Sequence, residues 1–284
     1  MICIIHNIMS VIVKHNNCGF FSCCSVRLHD IINYVNINNN LPDIVDSTNQ
    51  FDWYKPYNDS NDITNIYFND YTKQPNISDI NNIDFNHQYQ FIDFSKLNYA
   101  SLTPFIHKYF SLSDNIISII NTFNFKYNID YNNTCVLFYR GNDKQTEMSL
   151  CNYNDYYHYA NMIIEKNPKI TFLIQSDETE FIQFFTGLFP GNSVYFKDEI
   201  RHIPRQNGTV DQTFKESNYE MSRNFLAITK IMSQCKYIIC GSGNCSLWIM
   251  LYRGHCNNVY QFLSSNVCNS EMCKWIIHNS NSDV

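Results

Sequence analysis

Residues 134–147, TCVLFYRGNDKQTE, decide the fold because they join a buried strand to a charged turn. The apolar, β-branched and aromatic run over 135–139 is typical of a strand buried on both faces. In an open α/β sheet, ligands bind at the carboxyl ends of the strands, so the turn at Arg140 and Gly141 predicts a site. Arg140 offers a planar fork of donors that suits a phosphate, and Gly141 lets the backbone approach a ligand closely. An ordinary exposed β-turn is the alternative.

Two further turns follow apolar runs in the same way. In 238–246, IICGSGNCS, a strand passes through Gly241 straight into a helix N-terminus, where unpaired N–H groups and the helix dipole favour a phosphate. Asn244 or Ser246 can equally serve there as an N-cap. After the strand over 170–175, Asp177 is placed to bind a nucleoside, to order the Arg140 loop, or to cap the next helix.

Strands and helices alternate along the second half of the chain. The pattern predicts strands over 135–139, 170–175, 194–196, 237–240 and 259–263, and helices over 155–166, 180–188, 219–234 and 245–253. Helical segments of this length between strands indicate right-handed βαβ units and a mainly parallel sheet. The strand over 259–263 is expected to close the sheet as its last strand.

The first half is less regular. A strand over 8–14, a loop at Gly19 and a helical pattern from Val26 to Val35 make a nucleotide-fold opening, and 41–46 predicts a second strand. The Asn- and Tyr-rich residues 47–98 indicate an irregular insertion. Helical stretches over 102–123, interrupted at 111–114, precede a polar connector, where we place a domain boundary.

Composition narrows the class of protein. The 284 residues are 44% hydrophobic and 15% aromatic, enough to build two domains. The net charge of -6, without a basic run, argues against nucleic acid as a partner. The apolar residues 1–13 are shorter than the roughly 20 that span a bilayer, so no membrane span is expected.

The 12 cysteines do not form metal-binding patterns. They include no C-x-x-C pair and no zinc spacing, and Cys135, Cys235 and Cys240 fall in predicted core elements. We therefore expect a soluble protein in a reducing, cytoplasmic compartment. Cys23 with Cys24, or Cys268 with Cys273, are the alternative places for disulfides.

Three motifs together resemble one family. Arg140, Asp143, Lys144 and Glu147 are similar to the H-x-R-R-x-D-K…E segment of the α1,6-fucosyltransferases, with Tyr139 near the position of the His and Gly141 in place of the second Arg. Residues 176–178 resemble the T/S-D-D that follows the equivalent strand. Residues 232–248 resemble the helix, strand and turn that grip the nucleotide diphosphate. The three motifs keep the family order.

The resemblance implies an α/β fold of the GT-B type, in which two Rossmann-like domains face a cleft. Residues 1–128, with the irregular insertion 47–98, would form the acceptor-side domain, and 129–284 the nucleotide-sugar-binding domain. His15, Asn17 and Ser22 would then lie on the acceptor side, although a structural βα loop is the other interpretation. The resemblance also implies a phosphate pocket lined by Arg140, Asp143, Lys144, Asp177, Ser242, Gly243, Asn244, Cys245 and Ser246.

The activity implied by the resemblance is glycosyl transfer with inversion, from a nucleotide sugar such as GDP-fucose to a glycan or protein acceptor. Arg140 would stabilise the leaving diphosphate and Glu147 would be the base. No metal or other cofactor is implied, although Asp198 and Glu199 are an alternative metal position.

Two other functions stay open. One is transfer from a different nucleotide sugar by the same fold. The second is a catalytically silent relative that binds a sugar or a protein, because Tyr139 and Gly141 depart from the motif.

Overall fold

The computed structural model describes residues 9–14, 18–56, 59–264 and 273–279. The chain divides into two compact units, one made of Met1–His87 with Asn98–Asp114 and the other of Gln88–Leu97 with Asn115–Val284. The predicted domains 1–128 and 129–284 stay a prediction beside this division. Within the described ranges, no helix is both long and apolar enough to cross a bilayer.

Over its described residues, the first unit contains two short parallel strands and three α-helices. Strand β1 (Ser10–Ile12) pairs with β2 (Ile44–Asp46), and the helices are α1 (Phe20–Asn38), α2 (Thr64–Tyr67) and α3 (Tyr99–Tyr109). Helix α1 buries Leu28, Ile31 and Val35, which recur at helical spacing along one face. It ends at Asn39, whose φ of 52° gives the left-handed cap that Asn tolerates. The predicted opening strand and helix are confirmed where the structure describes them; His15 and Asn17 lie outside the described residues.

The segment 47–98 is irregular, as predicted. Apart from α2 it holds short 3₁₀ turns at Asp52–Tyr54, Tyr71–Lys73, His87–Phe91 and Phe94–Lys96. Aromatic packing organises its first part, since the ring of Phe20 lies 5.3 Å from that of Phe51 and 4.8 Å from that of Tyr67. The hydroxyl of Tyr54 accepts a hydrogen bond of 2.8 Å from the amide of Phe20, so this tyrosine is a core residue.

The second unit is built on a six-stranded sheet in the order β5-β4-β3-β6-β7-β8. Its strands are β3 (Thr134–Tyr139), β4 (Thr171–Ser176), β5 (Ser193–Val194), β6 (Tyr237–Gly241), β7 (Val259–Leu263) and β8 (Lys274–His278). Counted within the unit, the order is third, second, first, fourth, fifth and sixth, which is the Rossmann order. The first five strands run parallel, so the predicted parallel sheet is confirmed.

The helices that belong to this unit follow the predicted alternation closely. They are α4 (Asp114–Tyr127), α5 (Tyr153–Lys166), α6 (Thr179–Leu188), α7 (Val210–Thr213), α8 (Asn218–Gln234) and α9 (Asn244–Arg253). Every residue of β3 is buried, and neighbouring strands pair with both of its edges, as is typical of an interior strand of a parallel sheet. Cys135, Cys235 and Cys240 are buried free thiols in this core, as expected.

The prediction that 259–263 closes the sheet is wrong. Strand β8 pairs antiparallel with β7, with Ile276 opposite Gln261, and forms the edge. Its residues KWIIH are partly exposed, so they lack the continuous apolar run by which the central strands are recognised. A strand that joins a sheet in parallel needs a long crossover connection, usually a helix, whereas an antiparallel strand does not. The sequence before β8 therefore has no helical pattern that would mark the start of another strand.

Candidate functional site

The site lies at the point where the sheet order reverses, between β3 and β6. These two strands are neighbours, with Phe138 opposite Cys240, and their carboxyl ends lead to Arg140 and to the turn at Ser242. In a Rossmann sheet the crevice beside this reversal is where ligands bind. Two of the three predicted motifs therefore meet at one edge of the sheet, and β4 brings the third, Asp177, to the same edge.

Arg140 is held by two carboxylates. Its Nε donates to Asp177 Oδ2 at 2.9 Å and its Nη2 to Asp143 Oδ1 at 3.2 Å, with 25% of the side chain exposed. Burial lowers the pKa of the guanidinium, but the charges of Asp177 and Asp143 outweigh burial and raise this pKa above its ordinary value. The Nη1 group makes no hydrogen bond to any residue that the structure describes. The arginine is thus charged, fixed in orientation and left with donors for a ligand.

Asp177 orders the loop rather than capping α6. Its Oδ1 accepts from the amide of Gly141 at 2.9 Å, while Oδ2 accepts from Arg140. The N-cap position of α6 is Glu178, and no side chain caps the helix there. Of the three interpretations of Asp177, its geometry matches the loop-ordering one, and the side chain is only 5% exposed.

Asn142 is a site residue that the sequence reasoning missed. It is fully buried with φ of 46°, a left-handed conformation that Asn adopts more readily than most residues. Its Nδ2 donates to the carbonyl of Asp177 at 2.7 Å, and its Oδ1 accepts from the amide of Gln206 at 3.0 Å. Asn142 therefore ties the Arg140 loop to β4 and to the loop around Gln206. The Gly-Asn pair is the available signal in the sequence, and by itself it indicates only ordinary turn chemistry.

Gly141 is required by the protein's own side chains. A Cβ at this position would lie 2.1 Å from Glu178 Oε2 and 2.9 Å from a ring carbon of Tyr139. Glu178 is fully buried, and its Oε1 accepts from Arg205 and from the hydroxyl of Tyr153. A close approach at Gly141 is thus present, but the group that approaches is this carboxylate.

We expect Gly141→Ala to lower the free energy of unfolding by about 2 kcal/mol, the scale of an overpacked site. Glu178→Ala removes the nearest obstacle. The double variant should therefore be more stable than the sum of the two single losses by about 1 kcal/mol or more, because the sites touch. Urea unfolding of the four proteins measures this coupling, and strict additivity would contradict the steric explanation.

Asp143, Lys144 and Glu147 form the outer part of the Arg140 loop. Burial raises the pKa of Asp143, and the charges of Arg140 and Lys144 offset this only in part. Lys144 Nζ donates to Glu147 Oε2 at 2.5 Å, and 45% of the Glu147 side chain is exposed. The base candidate is therefore an exposed carboxylate paired with lysine, and its catalytic role stays a prediction.

In the turn after β6, fewer backbone amides are left for a ligand than the sequence predicts. The amide of Ser242 donates to the carbonyl of Phe262 at 3.0 Å, and the amide of Gly243 donates to the carbonyl of Gln90 at 3.0 Å. Gly243 has φ of 142°, which a side chain would disfavour. Two of the five backbone amides in the predicted phosphate pocket therefore bind other parts of the unit. The remaining ones, of Asn244, Cys245 and Ser246, belong to the first turn of α9.

Charge connects Arg140 with this turn. Burial raises the pKa of the Cys245 thiol to about 12, while a hydrogen bond from Thr229 and the positive charge of Arg140 act in the opposite direction. Because β3 and β6 are neighbours, Arg140 and the start of α9 follow adjacent strands at the same edge of the sheet. The side chains of Cys245 and Ser246 are themselves buried, at 5% and 1% exposed.

A small cavity opens beside Arg140 on one face of the sheet. We name it the arginine cavity; its volume is about 50 Å³, and its polar lining consists of Arg140, Gln175, Asp177, Glu199, Arg201 and Asp211. The Oε1 of Gln175 is buried and has no hydrogen-bond partner within the described part of the chain. Arg201 donates to Asp211 Oδ1 at 2.7 Å and to Asn218, so it fastens the loop that lines the cavity.

Asp198 and Glu199, the alternative metal position, are bound to a lysine. Lys126 Nζ lies 3.3 Å from Asp198 Oδ2 and 2.6 Å from Glu199 Oε1, and the hydroxyl of Tyr127 donates to Glu199 Oε2. Over the ranges that the structure covers, no group of three acidic, cysteine or histidine side chains is arranged to hold a metal ion.

The chain is similar to solved structures of a fucosyltransferase. NodZ α-1,6-fucosyltransferase soaked with GDP-fucose matches with a TM-score of 0.51 and 14% identity, over 95% of this chain and 99% of NodZ. NodZ co-crystallised with GDP matches with a TM-score of 0.51 and 13% identity, over 96% and 99%. The fucosyltransferase NodZ from Bradyrhizobium gives 0.51 and 13%, over 96% and 100%. No protein-family model and no curated protein sequence matches. The chain therefore has a fold similar to that of the fucosyltransferase NodZ.

Proposed function

We propose that this protein is a glycosyltransferase that transfers a sugar, fucose from GDP-fucose in the leading case, to the hydroxyl of a glycan or protein acceptor. One observation carries the proposal: Arg140 stands at the sheet reversal, clamped by two carboxylates, with Nη1 uncommitted. The likeness to NodZ supports the donor, because NodZ was soaked with GDP-fucose and co-crystallised with GDP. The three family motifs add to that support.

The proposed reaction is a single inverting displacement. The acceptor oxygen forms a bond to the anomeric carbon as the bond from that carbon to the diphosphate breaks, and the diphosphate leaves with the bonding electron pair. Arg140 donates to the leaving group, whose growing charge needs stabilisation, and the first-turn amides of α9 add to it. Lys144 lies in the same loop. The acceptor's proton goes to a carboxylate, for which Glu147 is the candidate.

Asp143 and Asp177 act on this chemistry through Arg140. Donors that are already oriented need no reorganisation as charge develops, and they act more strongly where water is excluded. The arginine cavity, at about 50 Å³, is smaller than the roughly 300 Å³ of ordinary ligand pockets. A nucleoside that enters on this face has to displace the two short parts of the loop that line the cavity, Glu199 to Arg201 and Val210 with Asp211.

The donor nucleotide can be identified by thermal stability. A ligand that binds only the folded protein raises its midpoint, so GDP at about 100 times its dissociation constant should add about 2.7 kcal/mol of stability. We expect GDP to raise the unfolding temperature and UDP to do so much less. Stabilisation by UDP and not GDP would show that the protein uses a different nucleotide sugar.

One observation favours a catalytically silent sugar- or protein-binding relative instead. Arg140 already faces two carboxylates, and Glu178 fills the space beside Gly141, so no second arginine can stand there. A silent relative would leave GDP-fucose and other nucleotide sugars unchanged. The measurement that separates this alternative from the transferase is donor turnover by the wild-type protein.

A further inference from the structure

A second and larger cavity lies on the other face of the sheet from the arginine cavity. We name it the tyrosine cavity; its volume is about 550 Å³, and its lining includes Tyr139, Gln145, Asn152, Tyr153, Glu180 and Arg205. Successive residues of a strand point to opposite faces, so Tyr139 faces this cavity while Phe138 and Arg140 face the other. The volume lies within the roughly 300–1,000 Å³ of pockets that bury small ligands.

The polar groups of the tyrosine cavity are built into the fold. Arg205 donates from Nε and Nη2 to Oε1 of Glu178, at 3.1 and 2.7 Å, and Glu178 is fully buried. The same guanidinium lies over the ring of Tyr153, 5.4 Å from its centre. Its backbone amide donates to Glu180 Oε2 at 3.0 Å. A buried carboxylate, an aromatic ring and a rim carboxylate thus hold one half-exposed arginine in a single position.

Charge then decides which ligands fit. The positive charge of Arg205 is balanced by Glu178, and Glu180 adds a second carboxylate at the rim, so the group carries a net negative charge. An anionic ligand would meet this charge without a free cation to receive it. The other carboxylate oxygen of Glu178, Oε2, is buried without a hydrogen-bond partner among the described residues and faces Gly141. The site therefore disfavours an anionic ligand.

The remaining groups match hydroxyls. A hydroxyl both donates and accepts, so it is best satisfied where donors and acceptors alternate. Nη1 of Arg205 is a donor that makes no hydrogen bond to the described residues, and Glu180 is an acceptor. The amide of Asn152 offers both and makes no side-chain hydrogen bond within the described chain. Gln145 donates its amide hydrogens to Gln206 and Asn207, which leaves its oxygen as an acceptor.

We propose that the tyrosine cavity binds a neutral saccharide, and that this saccharide is the acceptor. The acceptor role rests on the proposed transferase function, whereas the binding of a saccharide does not. Gln145 belongs to the same short helix, Asn142–Thr146, that follows Arg140 and precedes Glu147. A saccharide held there would therefore lie beside the loop that carries the proposed phosphate donor and the proposed base.

The binding half is tested with the wild-type chain and free sugars. The probes are the methyl glycosides of glucose, galactose and N-acetylglucosamine, with glucuronate as the anionic comparison, followed by saturation-transfer NMR and titration. We expect at least one neutral glycoside to bind and glucuronate to bind at least about tenfold more weakly, since each 1.4 kcal/mol is a factor of ten. Absence of binding by all three glycosides, or preference for glucuronate, would overturn the proposal.

Variants then locate the site. Asn152→Ala and Glu180→Gln change exposed rim groups and should each weaken glycoside binding about tenfold. Their matched controls are Asn132→Ala, in a different cavity, and Glu216→Gln, on an exposed turn; neither should change binding. Arg205→Ala would leave the buried carboxylate of Glu178 without its cation and can unfold the chain. Arg205→Lys therefore tests the role of the guanidinium while keeping the positive charge. Equal effects of the variants and their controls would remove the site.

The acceptor half has its own readout. In a transferase, the rim variants should lower transfer to the bound glycoside while thermal stabilisation by GDP stays unchanged. If glycosides bind but no donor is turned over, the proposed function fails and the saccharide site remains. If donor turnover occurs but no glycoside binds at the tyrosine cavity, the transferase remains and this proposal fails.

Discussion

Arg140→Ala should reduce turnover of the sugar donor by about 100-fold or more, because removing one oriented donor to developing charge costs about 10²–10³ in rate. The reason is geometric. Asp177 and Asp143 fix two nitrogens of Arg140, and the third, Nη1, faces no protein partner among the described residues. Donor hydrolysis and transfer to an acceptor, measured on the same preparations, provide the readout.

Two comparisons make this result specific. Arg140→Lys keeps the charge but loses the planar fork, so it should retain only part of the activity. Arg223→Ala is the matched control, since Arg223 on α8 pairs with Glu220 one turn earlier and lies over the ring of Tyr219. Activity that survives Arg140→Ala at the level of Arg223→Ala would remove Arg140 from the mechanism. No turnover by the wild-type protein would favour the silent relative.

Asp177→Asn should lower the free energy of unfolding by about 3 kcal/mol, the scale on which breaking a buried ion pair destabilises a protein. The carboxylate is 5% exposed and accepts from two donors, Nε of Arg140 and the amide of Gly141. An asparagine can accept from only one of them, and its own amide would face the other. Chemical unfolding measures the loss, and donor turnover should fall with it because Arg140 is released.

The control for this variant is Asp198→Asn. Asp198 also pairs with a cation, Lys126, but its side chain is 72% exposed. Exposed ion pairs contribute about 1 kcal/mol or less, so this change should hardly alter the stability. A loss at Asp177 no larger than that at Asp198 would mean that Arg140 does not depend on the carboxylate, and the clamped-arginine explanation would be wrong.

Local pattern was enough to predict the alternating half of the chain. The central strands β3, β4 and β6 are buried on both faces, so their continuous apolar runs and the turn residues after them are legible without any tertiary information. Continuous apolar runs of this kind, separated by helical segments, are typical of interior strands of a parallel sheet. Strand β8 could not be predicted in the same way, because it is a half-exposed edge strand. Its pairing with β7 also depends on residues that are distant in the chain.

The sequence by itself placed Arg140, Asp177 and the turn after β6 at the ends of strands, because parallel strands end at one edge of a sheet. Only the tertiary structure decided what these groups bind. In the tertiary structure the side chain of Asp177 binds the Arg140 loop, and the amide of Gly243 donates to the carbonyl of Gln90. The side chain of Glu178 fills the space beside Gly141. These hydrogen bonds and steric contacts join residues that are far apart in the sequence. A local sequence pattern carries no information about which distant residue will be the partner of a given group.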